Sequence, residues 1–355
     1  MMRKHRKKEA ELAGVLAVWK NAGPTSHDVV DVVRKVARMS QVGHTGTLDP
    51  AAEGLLLLCL GPYTKLAPYL TDTDKTYRGY FCLGIETDTD DSDGRIIAVT
   101  SQPLPSEDSI REAVKDFVGE IEQVPPRYSA VKREGKKLYE LARAGKECEV
   151  PARRVHVYSF TVEAPEPCEI PPRLLEKTGS QALSDAAAKQ KFVKVPFTVR
   201  VSSGTYVRSL ARDLGRKLGC GAFLLSLERT AAGVFSAEDA IPMQKLRELT
   251  LEEIDERLKR GTEVLDPQKY PIFHLLPAYK SRIAQGQPLT NTMLEEMEAA
   301  GDVASGTVCA IADEVGGILA MMQAQRLEGL QRKNPYAGAR IVGFRPLRIF
   351  PGGLR

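Results

Sequence analysis

The sequence predicts an α+β fold, a mixed central sheet with helices around it, followed by a small β-rich unit. Three observations carry this. Leu55 to Leu60 is an unbroken apolar run of the length expected for a buried strand. Such runs alternate with stretches of helical spacing, Thr205 to Leu218 being the strongest. From about residue 265 the pattern changes to short apolar segments parted by turns at Gly286 and Gly316-Gly317. A chain of 355 residues is long enough for a large core and for two domains.

The elements follow in chain order. Residues 1–11 form a basic tail opening Met-Met-Arg-Lys-His-Arg-Lys-Lys. Leu12 to Trp19 is apolar and extended, and Asn21 to Pro24 turns the chain. Ser26 is placed to cap a helix through about Met39, with Val29, Val30, Val32, Val33 and Val36 on or near its inner face. A glycine-flanked loop and the strand Leu55 to Leu60 come next. Tyr77 to Leu83 and Ile96 to Val99 are further strands around an acidic loop, Asp88 to Asp93. Ile110 to Phe117 is helical, capped by Ser106 or Ser109. Two prolines keep Glu122 to Tyr128 from regular helix, Gly135 to Ala144 predicts a short helix, and 153–162 alternates as a strand. Residues 163–191 are rich first in proline and then in Ser, Ala, Gln and Lys, which predicts a surface insertion or flexible excursion. Phe197 to Val201 resumes the sheet. The helix Thr205 to Leu218 stops near Gly219, and Leu246 to Leu258 is another helix. The main domain is thus expected over 12–260. Thr307 to Ile311, Ile318 to Met322 and Ile341 to Phe350 build the terminal unit, 265–355.

Composition excludes several classes. The net charge of +4 permits a nucleic-acid partner without demanding one. The six cysteines, at 59, 82, 148, 168, 220 and 309, form no CxxC pair and no Cys/His group of zinc spacing. Cys59 and Cys82 sit in apolar runs, as buried thiols of a reducing compartment do. The basic start lacks a following apolar region, and no apolar stretch reaches membrane-spanning length. A soluble, cytoplasmic protein without a membrane role is expected. There is no P-loop, no Rossmann fingerprint and no periodic repeat.

Chemistry points first to Gly43-His44-Thr45-Gly46-Thr47-Leu48-Asp49-Pro50. This loop sets one carboxylate between glycines that allow close backbone approach and a proline that fixes the chain after the acid. Standing alone, an Asp-Pro turn satisfying nearby amides explains it as well. Three more segments change the weighing. Lys75-Thr76-Tyr77-Arg78 brings an aromatic hydroxyl and two cations to a strand start. Ser202 to Leu210 holds Tyr206 and Arg208 at a strand-to-helix junction, and Pro125 to Lys132 is a rigid polar and aromatic loop. The acidic run Asp88-x-Asp90-Asp91-x-Asp93-Gly94 lacks the later Glu of an EF-hand and is expected to be a turn with no metal.

Taken together, these motifs resemble the bacterial tRNA pseudouridine synthase B family. The matching stretches are Gly43 to Pro50, Gly61 to Lys65, Lys75-Thr76-Tyr77, Leu83-Gly84 through Gly94, Pro125 to Lys132 with Gly135, and Gly204 to Leu210. They cover about residues 12–240. The end of the chain, Phe344-Arg345-Pro346-Leu347-Arg348-Ile349-Phe350, resembles the family's small PUA-like domain more weakly. The resemblance implies a pseudouridine-synthase-like, mainly antiparallel sheet. It implies isomerisation of uridine 55 in the tRNA T-loop by base flipping, cleavage of the glycosidic bond, rotation of uracil and closure of a C5–C1′ bond. Assistance to tRNA folding is implied too.

By the same resemblance Asp49 is the catalytic aspartate, Tyr77 the active-site tyrosine that stacks on uracil and is a candidate for the final base, and Arg208 the partner of Asp49. Tyr206 and Leu227 are substrate-contacting, and His44 helps hold the target nucleotide out of its stack. Lys20, Lys65 and Lys132, with Arg133, Lys136 and Lys137, are candidates to follow phosphates. Lys20 and Gly23 stand where the family has Lys-Pro-x-Gly, with Asn21 replacing the proline. Asp49 can attack the sugar carbon, attack uracil C6 or remove the 2′ proton, and the residues do not choose among these. No redox step is involved, so no cofactor is expected, and neither is an obligatory protein partner: the chain is expected to act as a monomer. Two competing readings are a non-catalytic RNA-binding module and a metal-dependent RNA hydrolase. The second is disfavoured because no carboxylate cluster can be placed around Asp49 from sequence.

Overall fold

The computed structural model describes residues 12–126, 150–326 and 342–355, and the backbone of 132–133 and 136–137. The short helix expected over Gly135 to Ala144 lies outside the described residues, apart from that strand backbone. The strands in chain order are β1 (Gly14–Lys20), β2 (Val42–Thr45), β3 (Glu53–Leu60), β4 (Lys75–Leu83), β5 (Ile85–Thr87), β6 (Ile96–Val99), β7 (Gly119–Gln123), β8 (Lys132–Arg133), β9 (Lys136–Lys137), β10 (Arg153–Val162), β11 (Glu166–Cys168) and β12 (Phe192–Val201). They continue with β13 (Ala222–Ala232), β14 (Phe235–Ser236), β15 (Ile241–Pro242), β16 (Ile272–His274), β17 (Leu289–Thr290), β18 (Val308–Ala312), β19 (Ile318–Arg326) and β20 (Val342–Leu354).

An eleven-stranded sheet runs β15-β1-β3-β13-β4-β12-β10-β7, with β2, β11 and β14 paired to its side. Only the β1–β15 and β3–β13 contacts are parallel. The mixed, mainly antiparallel sheet of an α+β fold is therefore present. A second sheet, β16-β18-β19-β20-β17, forms the curled β-rich C-terminal unit.

The apolar run in β3 has a direct cause. Leu56, Leu58 and Leu60 pack into the core under the helices, while Leu55, Leu57 and Cys59 pack into a second core on the other face. A strand buried on both sides shows no alternation. The first core is closed by the helices Ser26–Val36, Glu107–Lys115 and Val207–Lys217. The second core joins the sheets: Val15, Leu57 and Tyr63 lie with Ala310, Met321, Phe350 and Leu354.

Several local expectations are corrected. Thr25, not Ser26, caps the first helix: its hydroxyl accepts from Asp28 N at 3.1 Å and Asp28 returns the bond to Thr25 N at 2.8 Å. Leu246 to Leu258 is not one helix but a 3₁₀ turn, Met243–Arg247, and a short helix, Leu251–Glu256, restarted by a capping box at Thr250. Between β10 and β12, the segment 163–191 contributes edge strand β11 and the helices Pro172–Glu176 and Gln181–Lys189. Leu174 and Ala187 pack there with Cys82, Phe192 and Phe223 from the sheet's other face.

Candidate active site

Asp49 sits on a loop that is bonded on all sides. Gly46 begins it with φ +84°, a left-handed backbone that disfavours side chains. Ser26 clasps Leu48 twice, accepting from its N–H at 2.9 Å and donating to its carbonyl at 3.0 Å. Ala52 N–H donates to Asp49 O at 3.0 Å, and Gly23 N–H to Pro50 O at 2.8 Å. The Lys20 ammonium reaches Pro50 O at 3.2 Å and Ala52 O at 2.7 Å. Lys20 is fully buried, and burial holds its pKa below the usual lysine value. It is a clamp on the Asp49 loop, with its ammonium spent on backbone carbonyls and not presented to phosphates. The contact of Gly23 with Pro50 also shows where the turn bearing Asn21 docks.

The carboxylate of Asp49 is not buried. Its side chain is 42% exposed and opens into a cavity of about 700 Å³. Arg208 meets it there, Nε to Oδ2 at 3.1 Å. Arg208 is buried at the start of the helix Val207–Lys217 and serves a second acid: its Nη1 is 3.4 Å from Asp91 Oδ2 and donates to Thr89 O at 3.3 Å. One turn on, Arg212 pairs with Asp90 at 2.9 Å. Helical spacing puts both arginines on one face, toward the acidic loop. That loop is thus more than a turn between strands. Asp90 adopts φ +62°, and Thr89 and the backbone of Asp93 donate to the Asp91 carboxylate. Burial raises the pKa of Asp91 and of Asp90, against the pull of Arg208 and Arg212.

The floor of the cavity comes from paired strands. Tyr77 on β4 faces Arg229 on β13, and Gly79 faces Leu227. A Cβ on Gly79 would lie 2.1 Å from Ser226 O, so only glycine lets the two strands meet there. Tyr77, Leu227, Arg229 and Lys75 all line the cavity. Tyr206 lines it from the neck before the helix. Buried Gln123 holds Tyr206 by both backbone groups, at 2.8 and 3.1 Å, and Arg153 lies 4.5 Å over its ring.

Sequence reasoning therefore brought together Asp49, Tyr77, Arg208, Tyr206 and Leu227. The other candidates stand elsewhere. His44, on β2, is outside the cavity lining. Burial and then the charge of Arg229 lower its pKa, which keeps the imidazole neutral. Lys65 is exposed at the end of a 3₁₀ turn and does not line the cavity. The side chain of Lys132 lies outside the described residues.

Arg229, Asp91, Arg153 and Gln123 were missed. Gln123, Arg153 and Arg229 come from strands far from Asp49 in sequence and are brought in by strand register, while Asp91 comes from the acidic loop and is held by Arg208. Carboxylates do gather near Asp49, contrary to expectation, since Asp91 and Asp93 line the same cavity. Arg208 bonds both Asp49 and Asp91. Among the described residues, the His/Cys/Asp/Glu group with ligand atoms within 4.8 Å is His274, Glu295 and Glu296, on and beside β16. There Glu296 is occupied by the ring and backbone of His274, at 2.6 and 2.8 Å.

Known proteins share this architecture. A chain in the crystal structure of a Cbf5-Nop10-Gar1 complex superposes with a TM-score of 0.63 at 25% identity, over 88% of this chain and 79% of that one. A chain from an H/ACA RNP bound to a substrate RNA containing 2′-deoxyuridine gives 0.64 at 20% identity, over 98% and 92%. The second likeness is one of fold. Family models give the class. Residues 34–207 match the N-terminal domain of TruB family pseudouridylate synthases, and 208–271 match the C-terminal domain of tRNA pseudouridylate synthase B. The chain belongs to the TruB family of pseudouridylate synthases and is an isomerase of that class. It is 41% identical over 289 residues to tRNA pseudouridine synthase B of Alkaliphilus oremlandii, covering 79% of this chain and 84% of the relative. To tRNA pseudouridine synthase B of Geobacillus thermodenitrificans it is 40% identical over 340 residues, or 95% and 99%.

Proposed function

We propose that the protein converts uridine 55 in the T-loop of tRNA to pseudouridine, as a monomer in the cytoplasm and without a cofactor. One observation carries the reading: the 3.1 Å pair of Arg208 with a solvent-open Asp49, at the wall of a cavity floored by Tyr77 and Leu227. A pure binder has no need of a carboxylate facing an anionic ligand, whereas an isomerase does.

The target nucleotide leaves its stack and enters the cavity, at a cost that is small in a loop already bent. Tyr77 and Leu227 offer a ring and an apolar side chain to the faces of the uracil. Arg208 pairs with Asp49 at 3.1 Å and aims it. Asp49 then acts on the sugar or on the base, the C1′–N1 bond breaks, uracil turns, and C5 closes on C1′. The tyrosine hydroxyl is the candidate for relaying the C5 proton to water, and N1, left with the electron pair of the broken bond, takes up one proton from water, so that none is gained or lost overall. His44, neutral and set beside the cavity, takes the space the base has left. Binding of the stem-loop also favours the folded T-arm, so tRNA folding is a second effect of the same site.

The test is direct. An unmodified tRNA transcript is incubated with the protein, with and without a chelator, and new pseudouridine is mapped. Pseudouridine at position 55 in both samples is expected. No product, or product at another uridine, overturns the assignment, and loss of product with chelator overturns its metal-free form.

A further inference from the structure

Lys75 is a buried cation that the roles above leave unused. It lies two residues before Tyr77 on β4, hence on the same face of that strand. It lines the cavity but is only 7% exposed. Its ammonium donates to Thr71 O and Thr73 O, at 2.6 Å each. An ammonium has three donors, and the bonds it makes among the described residues use two to fix its position and leave one for a ligand. Arg229, facing Tyr77 from β13, is more fully committed: its Nε and Nη2 donate to Leu55 O and Gly46 O, and it is 1% exposed.

We propose that Lys75 donates to the flipped uracil and stabilises the negative charge this ring acquires when it is detached, a role that rests on the synthase reading above. When the C1′–N1 bond breaks, its electron pair stays with uracil and spreads onto O2 and O4. Lys75 keeps all three of its protons throughout. A cation fixed beforehand and itself nearly buried is effective at this, because little must reorganise around it. Asp49 and Asp91 are both taken by Arg208, whereas Lys75 and Arg229 are cations of the lining supplied by the strands of the floor. A phosphate, which stays on the RNA backbone, is a poor ligand for a group so nearly closed off. The base is the part of the nucleotide that goes deepest.

The groups facing Lys75 are Asp72 and Asp74 in the preceding turn, Arg229 on β13, and Lys269 ahead of the C-terminal sheet. Burial, then Arg229 and Lys269, outweigh the two carboxylates and bring Lys75 down to about 8. The ammonium is present below that pH and is lost above it.

The experiment follows single-turnover conversion of the tRNA transcript from about pH 6.5 to about pH 9, with RNA affinity measured alongside, for the parent, K75R and K75M. The parent rate is expected to fall as the pH rises through the Lys75 pKa. K75R, whose guanidinium does not titrate in this range, is expected to lack that fall. K75M is expected to lose about 10²- to 10³-fold in rate at neutral pH, with RNA affinity unchanged. A merely structural lysine would not move the alkaline limb. A parent rate flat across the range, a K75R limb coincident with the parent's, or a K75M rate near the parent's overturns the proposal. If K75M does not fold, the limbs of the parent and K75R decide alone. Absence of pseudouridine from the parent sinks the function itself, whereas product formation with an unmoved limb sinks only the Lys75 role.

Discussion

Two carboxylates share Arg208, and they differ in setting. Asp49 is open to the cavity, while Asp91 is largely enclosed. On the proposed reaction Asp49 acts on the nucleotide, so Asp49→Asn is expected to lower the single-turnover rate by about 10⁴-fold or more, with RNA affinity retained. A rate near the parent's would end the catalytic assignment. Asp91 acts through the arginine. Removing its charge leaves Arg208 with one acid fewer, and losing a charged hydrogen bond costs about 1.5–3 kcal/mol. If that loss is felt in full at the transition state, Asp91→Asn slows conversion about 10- to 100-fold without weakening RNA binding. An unchanged rate would mean that Asp49 holds the arginine unaided. Lys20 shows the opposite lesson. A lysine near a catalytic loop suggests phosphate contact, yet its three carbonyl partners make it part of the scaffold.

Strand pairing sets the floor of the site. β4 passes between β12 and β13, and its register with β13 places Tyr77 beside Arg229. At Gly79 a Cβ would run into the Ser226 carbonyl. Gly79→Ala must push Ser226 away, and is expected to destabilise the fold by about 2 kcal/mol or more, measured by denaturant unfolding. A midpoint equal to the parent's would show that the strands can part without cost. In the C-terminal sheet, the turn after β18 is held by Asp313, which accepts from Val315 N–H at 3.1 Å and Gly317 N–H at 2.7 Å and pairs with Arg355 at 2.8 Å. Burial pushes its carboxyl up, but the bonds from Gly317, Arg355 and Val315 outweigh this, and its pKa ends below the ordinary value. A depressed folded pKa gives stability that is present above the unfolded pKa. That stability is lost as the pH falls through the folded one. Acid titration of the melting temperature is therefore expected to show a fall below the ordinary carboxylate range that Asp313→Asn removes. Parallel curves for the two proteins would contradict it.

The two sheets are not separate bodies joined by a linker. Leu57 and Tyr63 from the first part of the chain share a core with Met321, Phe350 and Leu354, and Gly261 N–H donates to Tyr63 Oη at 2.5 Å. Asp72 extends the link, pairing with Lys269 at 3.0 Å and accepting from Ser203. Removing residues 265–355 is thus expected to strip the cover from one face of the main sheet. The truncated chain should bind a hydrophobic dye and melt well below the parent. A truncated protein that melts with the parent and converts a minimal T-stem-loop at full rate would show that the shared core is dispensable.

Much of this was legible in the residues. The doubly apolar run of β3, the helix bearing Arg208 and the Asp49 loop are local patterns, and the motifs resembling the synthase family named Asp49, Tyr77 and Arg208. Thr25 could have been found too, because Asp28 three residues on completes a capping box. Arg229 and Gln123 could not be found in that way. Their neighbours are set by which strands pair and in what register, and a period of two residues says which face a side chain takes without saying what it will meet. Strand β3, the helix bearing Arg208, the Asp49 loop and the family are written in local pattern. That Lys20 is a clamp, that the acidic loop braces Arg208 and that Lys75 lies in the cavity emerge only when the strands are paired. The reason is that burial and charge pairing belong to the assembled sheet and not to any one strand of it.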